Sequence, residues 1–254
     1  MEHSIEIAPD VRMPLVGLGT WQAQGRESYD AVRSALDVGY RMIDTATMYG
    51  NEDQVGKALA DSGVPREDVF VTTKLPPSRV GHERETLAAS LAALGLEYID
   101  LWLIHWPPRH DTTVGCWERL LELQGEGLAR AVGVSNFDLA LIDELQAATG
   151  QLPALNQIEW SPSLYDAETL EGHHRRGVQL EGYSPLKTTN LRDERLVRIA
   201  DVHGVTPAKI VIRWHLEHET VVIPKSSEPR RIAQNFDVFG FTLSAEEITE
   251  LDAF

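Results

Sequence analysis

Cysteine is almost absent from this chain: Cys116 is the only one among 254 residues. One thiol excludes an internal disulfide. Its setting in GCWERLLEL reads as a small apolar helix residue rather than a reactive nucleophile. Positive charge is also scarce, with 23 Lys and Arg against 39 Asp and Glu and a net charge of −16. That balance argues against nucleic acid or an anionic membrane as a partner. No apolar run approaches the roughly 18 residues needed to span a bilayer, and no opening segment joins basic residues to an apolar stretch. A cytoplasmic location is therefore expected. Gly17 and Gly19 form GLG without the third glycine or the following helix of a dinucleotide fingerprint. His173, His174, His203, His215 and His218 make no convincing metal set, and GHHRRG reads as a solvated helix face, so no metal is expected.

What the chain does have is alternation. Short β-branched runs at Leu15–Thr20, Arg41–Ala46, Val69–Leu75, Ile99–His105, Ala129–Ser135, Ala154–Trp160, Val178–Ser184 and Thr220–Lys225 read as strands. Between them, helical periodicity marks Ser28–Gly39, Gln54–Ser62, Glu83–Leu94, Trp117–Gln124, Leu139–Ala148 and a polar helix stopped by Gly177. Two further helices, Glu194–Val202 and Pro207–Glu217, precede the last strand, one more than a strict repeat needs. Glycines such as Gly63, Gly95 and Gly150 supply the stops. Strictly alternating β and α elements imply a parallel sheet. About eight such units in about 250 residues favour a closed (β/α)8 TIM barrel in a single α/β domain, residues 1–254. Ser4–Ala8 and Val11–Met13 are candidates for a short β-hairpin ahead of it.

In a parallel barrel, the C-terminal ends of the strands share one rim, where residues distant in sequence can form one site. Those ends carry Thr20 and Trp21, Asp44, Lys74, His105, Ser135 and Asn136, Gln157, Tyr183 and Ser184, and Lys225 and Ser226. Asp44 and Tyr49 in DTATMYGNE, Lys74 in VTTKL and His105 in LIHWP bring an acid, a phenol, an amine and an imidazole to that rim. An ammonium beside a phenol favours the phenolate and lowers a tyrosine pKa, which suits a general acid acting on a carbonyl oxygen.

The segments GLGTWQ, GYRMIDTATMYGNEDQVGKAL, VTTKL, DLWLIHWP, GVSNF, NQIEWSP, GYSPL and VVIPKSSEPRRIAQNF run in order from about residue 17 to 236. Together they resemble the aldo-keto reductase family, and most of all its short prokaryotic members such as the 2,5-diketo-gluconate reductases. The resemblance implies NADPH-dependent reduction of aldehydes or ketones to alcohols. Tyr49 would be the proton donor and Lys74 would depress its pKa. Asp44 would hold Lys74, and His105 would orient the carbonyl. Carried over position by position, Thr20 joins the cofactor contacts. Ser135, Asn136 and Gln157 would hold the nicotinamide carboxamide, and Tyr183 would stack on its ring. Ser184, Pro185 and Leu186 would line the pyrophosphate. Lys225, Ser226, Arg231 and Asn235 would take the adenosine end, with two cations for the 2′-phosphate. Trp21, Met48 and Trp106 would give apolar contacts to a small-molecule carbonyl substrate, and a monomer is expected.

Several positions depart from the family pattern. Glu228 stands where relatives often carry a basic residue, which leaves NADH possible. Gln234 replaces a common glutamate, Ser161 replaces the usual histidine of the QIExHP segment, and Pro76–Pro77 follow Lys74 where an aromatic is frequent. The short segments Pro107–Val114 and Lys187–Asp193, and the end at Phe254, lead to the expectation of an open site with broad carbonyl specificity. Blander readings compete residue by residue: core packing for Trp21 and Trp106, a helix N-cap for Ser135, surface charge for Lys225 and Arg231. Two other functional classes compete as well, a non-catalytic barrel that keeps the cofactor pocket and a metal-dependent barrel hydrolase.

Overall fold

The computed structural model describes residues 3–254. Two antiparallel strands, β1 (Ser4–Ala8) and β2 (Val11–Pro14), form the expected hairpin. Eight parallel strands follow: β3 (Leu18–Gly19), β4 (Met42–Asp44), β5 (Phe70–Leu75), β6 (Ile99–Ile104), β7 (Ala129–Ser135), β8 (Leu155–Glu159), β9 (Gln179–Tyr183) and β10 (Val221–Ile223). Each pairs with its neighbour in chain order. Bridges from Val16 to Val222 and from Gly19 to Lys225 join the two ends into a barrel. Gly19 is required there, because a Cβ would come within 2.9 Å of the Ile223 carbonyl oxygen.

The helices are α1 (Gly25–Val38), α2 (Glu52–Ser62), α3 (Glu83–Leu94), α4 (Thr113–Gly125), α5 (Leu139–Thr149), α6 (Ala167–Arg176), α7 (Glu194–His203), α8 (Pro207–Glu217), α9 (Pro229–Phe236) and α10 (Ala245–Asp252). The pair α7 and α8 is the anticipated extra helix. The glycine stops hold as read: Gly95, for example, closes α3 at φ +67°, a conformation other residues adopt at a cost. Two helices had not been anticipated, α9 and α10. Each is only eight residues long, shorter than the stretch over which helical periodicity is read. Tertiary packing holds them: α9 lies against α1, and α10 against α7 and α8, where Asp252 accepts from the Trp214 indole at 2.7 Å. No helix among the described residues is long and apolar enough to cross a membrane.

Side chains alternate across each strand. Outward residues such as Ile43, Val71, Trp102, Val132 and Val222 pack under the helices. Inward residues change character along the barrel axis. Met42, Phe70, Leu101, Leu103, Ala131, Leu155, Val221 and Ile223 form an apolar plug, which Ile7, Val11 and Met13 of the hairpin seal from below. One or two steps further along the same faces stand Asp44, Lys74, His105, Ser135, Gln157 and Tyr183. The barrel floor is thus dry and its rim polar.

Candidate active site

A cavity of about 420 Å³ opens at that rim, within the usual range for small-molecule sites. Lys74, fully buried on β5, donates from Nζ to Asp44 Oδ1 at 2.6 Å and to the Thr45 carbonyl at 2.8 Å. Tyr49 comes from a short helical turn after β4, held when Thr47 Oγ1 donates to the Lys74 carbonyl at 2.9 Å. Its ring centroid lies 5.3 Å from Lys74 Nζ and 5.7 Å, edge-on, from the His105 ring. Asp44, Tyr49 and His105 all line the cavity.

Electrostatics assigns each group a protonation state. Burial raises the Tyr49 pKa above the ordinary phenol, and Lys74 opposes that rise without reversing it. This differs from the expectation of a net depression, because the amine's pull must first overcome desolvation. Tyr49 therefore keeps its proton, while Lys74 stabilises any phenolate that forms. Burial alone would lower Lys74, but Asp44 and Tyr49 leave its pKa raised, so it stays an ammonium. His105 is held down to about 3, mainly by burial and secondarily by Lys74. Its neutral ring has one N–H. Nδ1 is buried with no partner, which favours the tautomer with the proton on Nε2.

The other predicted residues divide. Trp21, Met48, Trp106, Ser135, Asn136, Gln157, Tyr183, Ser184 and Lys225 line the cavity. Trp21 and Trp106 are 45% and 46% exposed, which removes the core-packing alternative. Ser135 is not a helix cap: its hydroxyl donates to the Gln157 carbonyl at 2.8 Å, and Asp138 caps α5 instead. Asn136 and Ser184 sit at φ +62° and +53°, sparsely populated backbone placed at the mouth of the site. Thr20, Pro185, Leu186, Ser226, Arg231 and Asn235 lie outside the lining. Thr20 donates to the Asp44 carbonyl at 3.0 Å, and Leu186 packs into the outer core. Arg231 is exposed and paired with Glu228 at 3.0 Å, and Lys225 lies 3.8 Å from Glu27. Ser161 and Thr188 share a 2.7 Å hydrogen bond that ties the end of β8 to the loop after β9. The GHHRRG reading is corrected in part. His174 is exposed, but His173 is buried between Asn156 and the Thr169 carbonyl, because its face of α6 turns toward the barrel.

Comparison with known proteins places this arrangement. The model of the aldo/keto reductase family matches residues 15–254. The chain belongs to the aldo/keto reductase family. It is 46% identical to the methylglyoxal reductase DkgA of Escherichia coli strain K12 over 94% of this chain and 88% of that protein. It is 41% identical to a morphine 6-dehydrogenase of Pseudomonas putida over 98% and 90%. The crystal structure of an aldo/keto reductase from Brucella melitensis superposes with a TM-score of 0.95 at 40% identity, covering 98% of each chain. This aldo/keto reductase is accordingly an NAD(P)H-dependent oxidoreductase acting on carbonyl compounds.

Three further residues of this aldo/keto reductase, Asn51 and Glu181 buried and Glu159 partly exposed, escape the sequence reading. Asn51, from the YGNE segment, donates to the carbonyls of Thr20 and Ala23 at 3.0 and 2.9 Å and accepts from Thr45, pinning the loop that carries Trp21. Glu159 lines the cavity, its Oε1 lying 3.6 Å from Lys187 Nζ. Glu181 lies fully buried on β9, two residues before Tyr183 on the same face. The period-2 rule for strands would have placed Glu159 and Glu181 inward, since each stands two positions from a residue already assigned to the rim.

Proposed function

We propose that this enzyme uses NADPH to reduce aldehydes and ketones to alcohols, with Tyr49 as proton donor. The observation that carries the reading is the buried Lys74–Asp44 pair at 2.6 Å, set beneath a protonated tyrosine and beside a neutral histidine. When bound, the reduced nicotinamide supplies the hydride. His105 Nε2 donates a hydrogen bond to the substrate oxygen and orients it. Tyr49 passes its hydroxyl proton to that oxygen as negative charge builds there. Lys74 stabilises the resulting phenolate, and Asp44 keeps the ammonium in place. A protonated tyrosine, an ammonium and a neutral histidine around one cavity, with Asp44 holding the ammonium, favour this reading over a non-catalytic barrel. Among the described residues no group of three or more His, Cys, Asp or Glu is placed to hold a metal ion.

The donor set fits a nicotinamide. Gln157 presents a side-chain amide in the same cavity as the Tyr183 ring, and Asn136 fixes that ring by accepting from its hydroxyl at 2.9 Å. Lys225 and Arg231 are the cations for a 2′-phosphate, and Glu228 weakens that preference enough for NADH to serve. Trp21, Met48 and Trp106 give an exposed apolar mouth suited to varied small carbonyls, with dicarbonyls such as methylglyoxal the first class to try.

The test is a panel of dicarbonyls, benzaldehydes and keto acids assayed with each cofactor, for the wild type and Arg231→Ala. We expect turnover with both cofactors, a lower KM for NADPH, and a narrowing of that difference in the variant. Tight NADPH binding without turnover of any carbonyl would sink the proposal.

A further inference from the structure

We infer that Glu181 is a positioning residue that, together with Asp44, locks the Gln157 amide in the one orientation able to receive a nicotinamide carboxamide. The inference rests on the nicotinamide reading above. Gln157 and Glu181 are directly paired across β8 and β9. Gln157 Nε2 donates to Glu181 Oε2 at 2.8 Å and to Asp44 Oδ2 at 2.9 Å. Asp44 in turn receives the Lys74 ammonium on its other oxygen at 2.6 Å. The four side chains thus form one buried chain, Lys74 to Asp44 to Gln157 to Glu181, and none of the four is more than 2% exposed.

The orientation of the amide follows from the acceptors around it. Turning Gln157 over would place its oxygen against Asp44 Oδ2, an acceptor on the carboxyl that receives the Lys74 ammonium, in a dry site. Both amide protons are therefore committed away from the cavity, and Gln157 Oε1 is the atom left to accept from the carboxamide nitrogen. Asp44 alone would fix one proton of the amide. A second anchor on a different strand is needed to fix its plane, and Glu181 supplies it.

The charges facing Glu181 are Asp44, the Lys74 ammonium and, further off, Tyr49. Burial, reinforced by Asp44, pushes its carboxyl pKa up, and the unpartnered Oε1 is the oxygen free to carry a proton while Oε2 accepts from Gln157. In that form it holds the amide without adding a negative charge beside the phenol.

Glu181→Leu and Glu181→Gln separate this role from a structural one. Binding of NADPH is compared with binding of 2′-phospho-ADP-ribose, which lacks the nicotinamide, by quenching of tryptophan fluorescence. Transfer from NADPH deuterated on one face of C4 reports ring orientation. For Glu181→Leu we expect NADPH to bind roughly 5–10-fold more weakly, the worth of about one buried hydrogen bond. The fragment should bind as in the wild type, and transfer should lose its strict sidedness, so that both hydrogen and deuterium reach the product. Glu181→Gln retains an acceptor oxygen and should restore both properties. In a Gln157→Ala background, Glu181→Leu should change neither readout further. Unchanged NADPH affinity and sidedness in Glu181→Leu would overturn the inference, as would an equal loss for NADPH and the fragment. Failure of the wild type to bind NADPH would instead overturn the cofactor reading.

Discussion

The two ends of the barrel solve the same burial problem in opposite ways. At the closed end, Asp100 on β6 is 2% exposed and satisfied on every side: Arg66 donates at 2.6 Å, the Val71 amide at 2.9 Å and Arg130 at 3.3 Å. Around it the hairpin and the strand bases are apolar. At the open end, His105 Nδ1, Glu181 Oε1 and Thr72 Oγ1 are buried with no hydrogen bond. Unsatisfied buried polar atoms cost free energy. The closed end has one too, Arg66 Nε, but at the open end they include titratable groups at or beside a cavity that a ligand can fill. The closed end is built for the fold and the open end for a ligand.

Substitutions can break that contrast. The largest effect should come at the open end, where Tyr49→Phe removes one hydroxyl and should cost about 10²–10⁴-fold in kcat, the usual worth of a positioned general acid. NADPH affinity and thermal stability should stay near wild type, and stopped-flow turnover with fluorescence titration checks this. Near-normal kcat would mean the proton donor is misassigned. At the closed end the pattern should invert. Met13→Ala opens a cavity under a fully buried side chain and should cost about 2–5 kcal/mol in urea unfolding while sparing kcat/KM below the transition. A large loss of activity with intact stability would show that the two ends are not separable.

The smallest effect concerns pH. The folded-state pKa of His105 lies at about 3, below the ordinary histidine value of 6.5. Below 6.5 the unfolded chain takes up a proton that the native ring refuses, so this contribution is present at neutral pH and is lost as pH falls toward 3. Between pH 7 and 5 the loss should be about 1–2 kcal/mol, and His105→Gln should flatten it. Chemical denaturation at several pH values measures the slope, and an unaltered slope in His105→Gln would place the acid sensitivity elsewhere.

Much of this was open to reading along the chain. Eight strands, the extra helix, the hairpin and the residues at each strand end follow from periodicity, glycine stops and the motifs, because those signals are local. The helices α9 and α10 did not, since eight residues fall short of the stretch over which period is read and their stability comes from partners far away in sequence. Trp21, Trp106 and Ser135 stayed ambiguous for the same reason: packing surface and pocket wall look alike until the neighbours are known.

By itself, then, the sequence determined which side chains stand at the rim, and with them the family and the class of chemistry. Only the tertiary structure decided how those groups are tuned. Whether burial or the Lys74 ammonium governs Tyr49, whether His173 meets water, and which way the Gln157 amide points all depend on desolvation and on contacts between distant strands. Such quantities belong to the assembled barrel, because no stretch of chain contains both partners of the interaction.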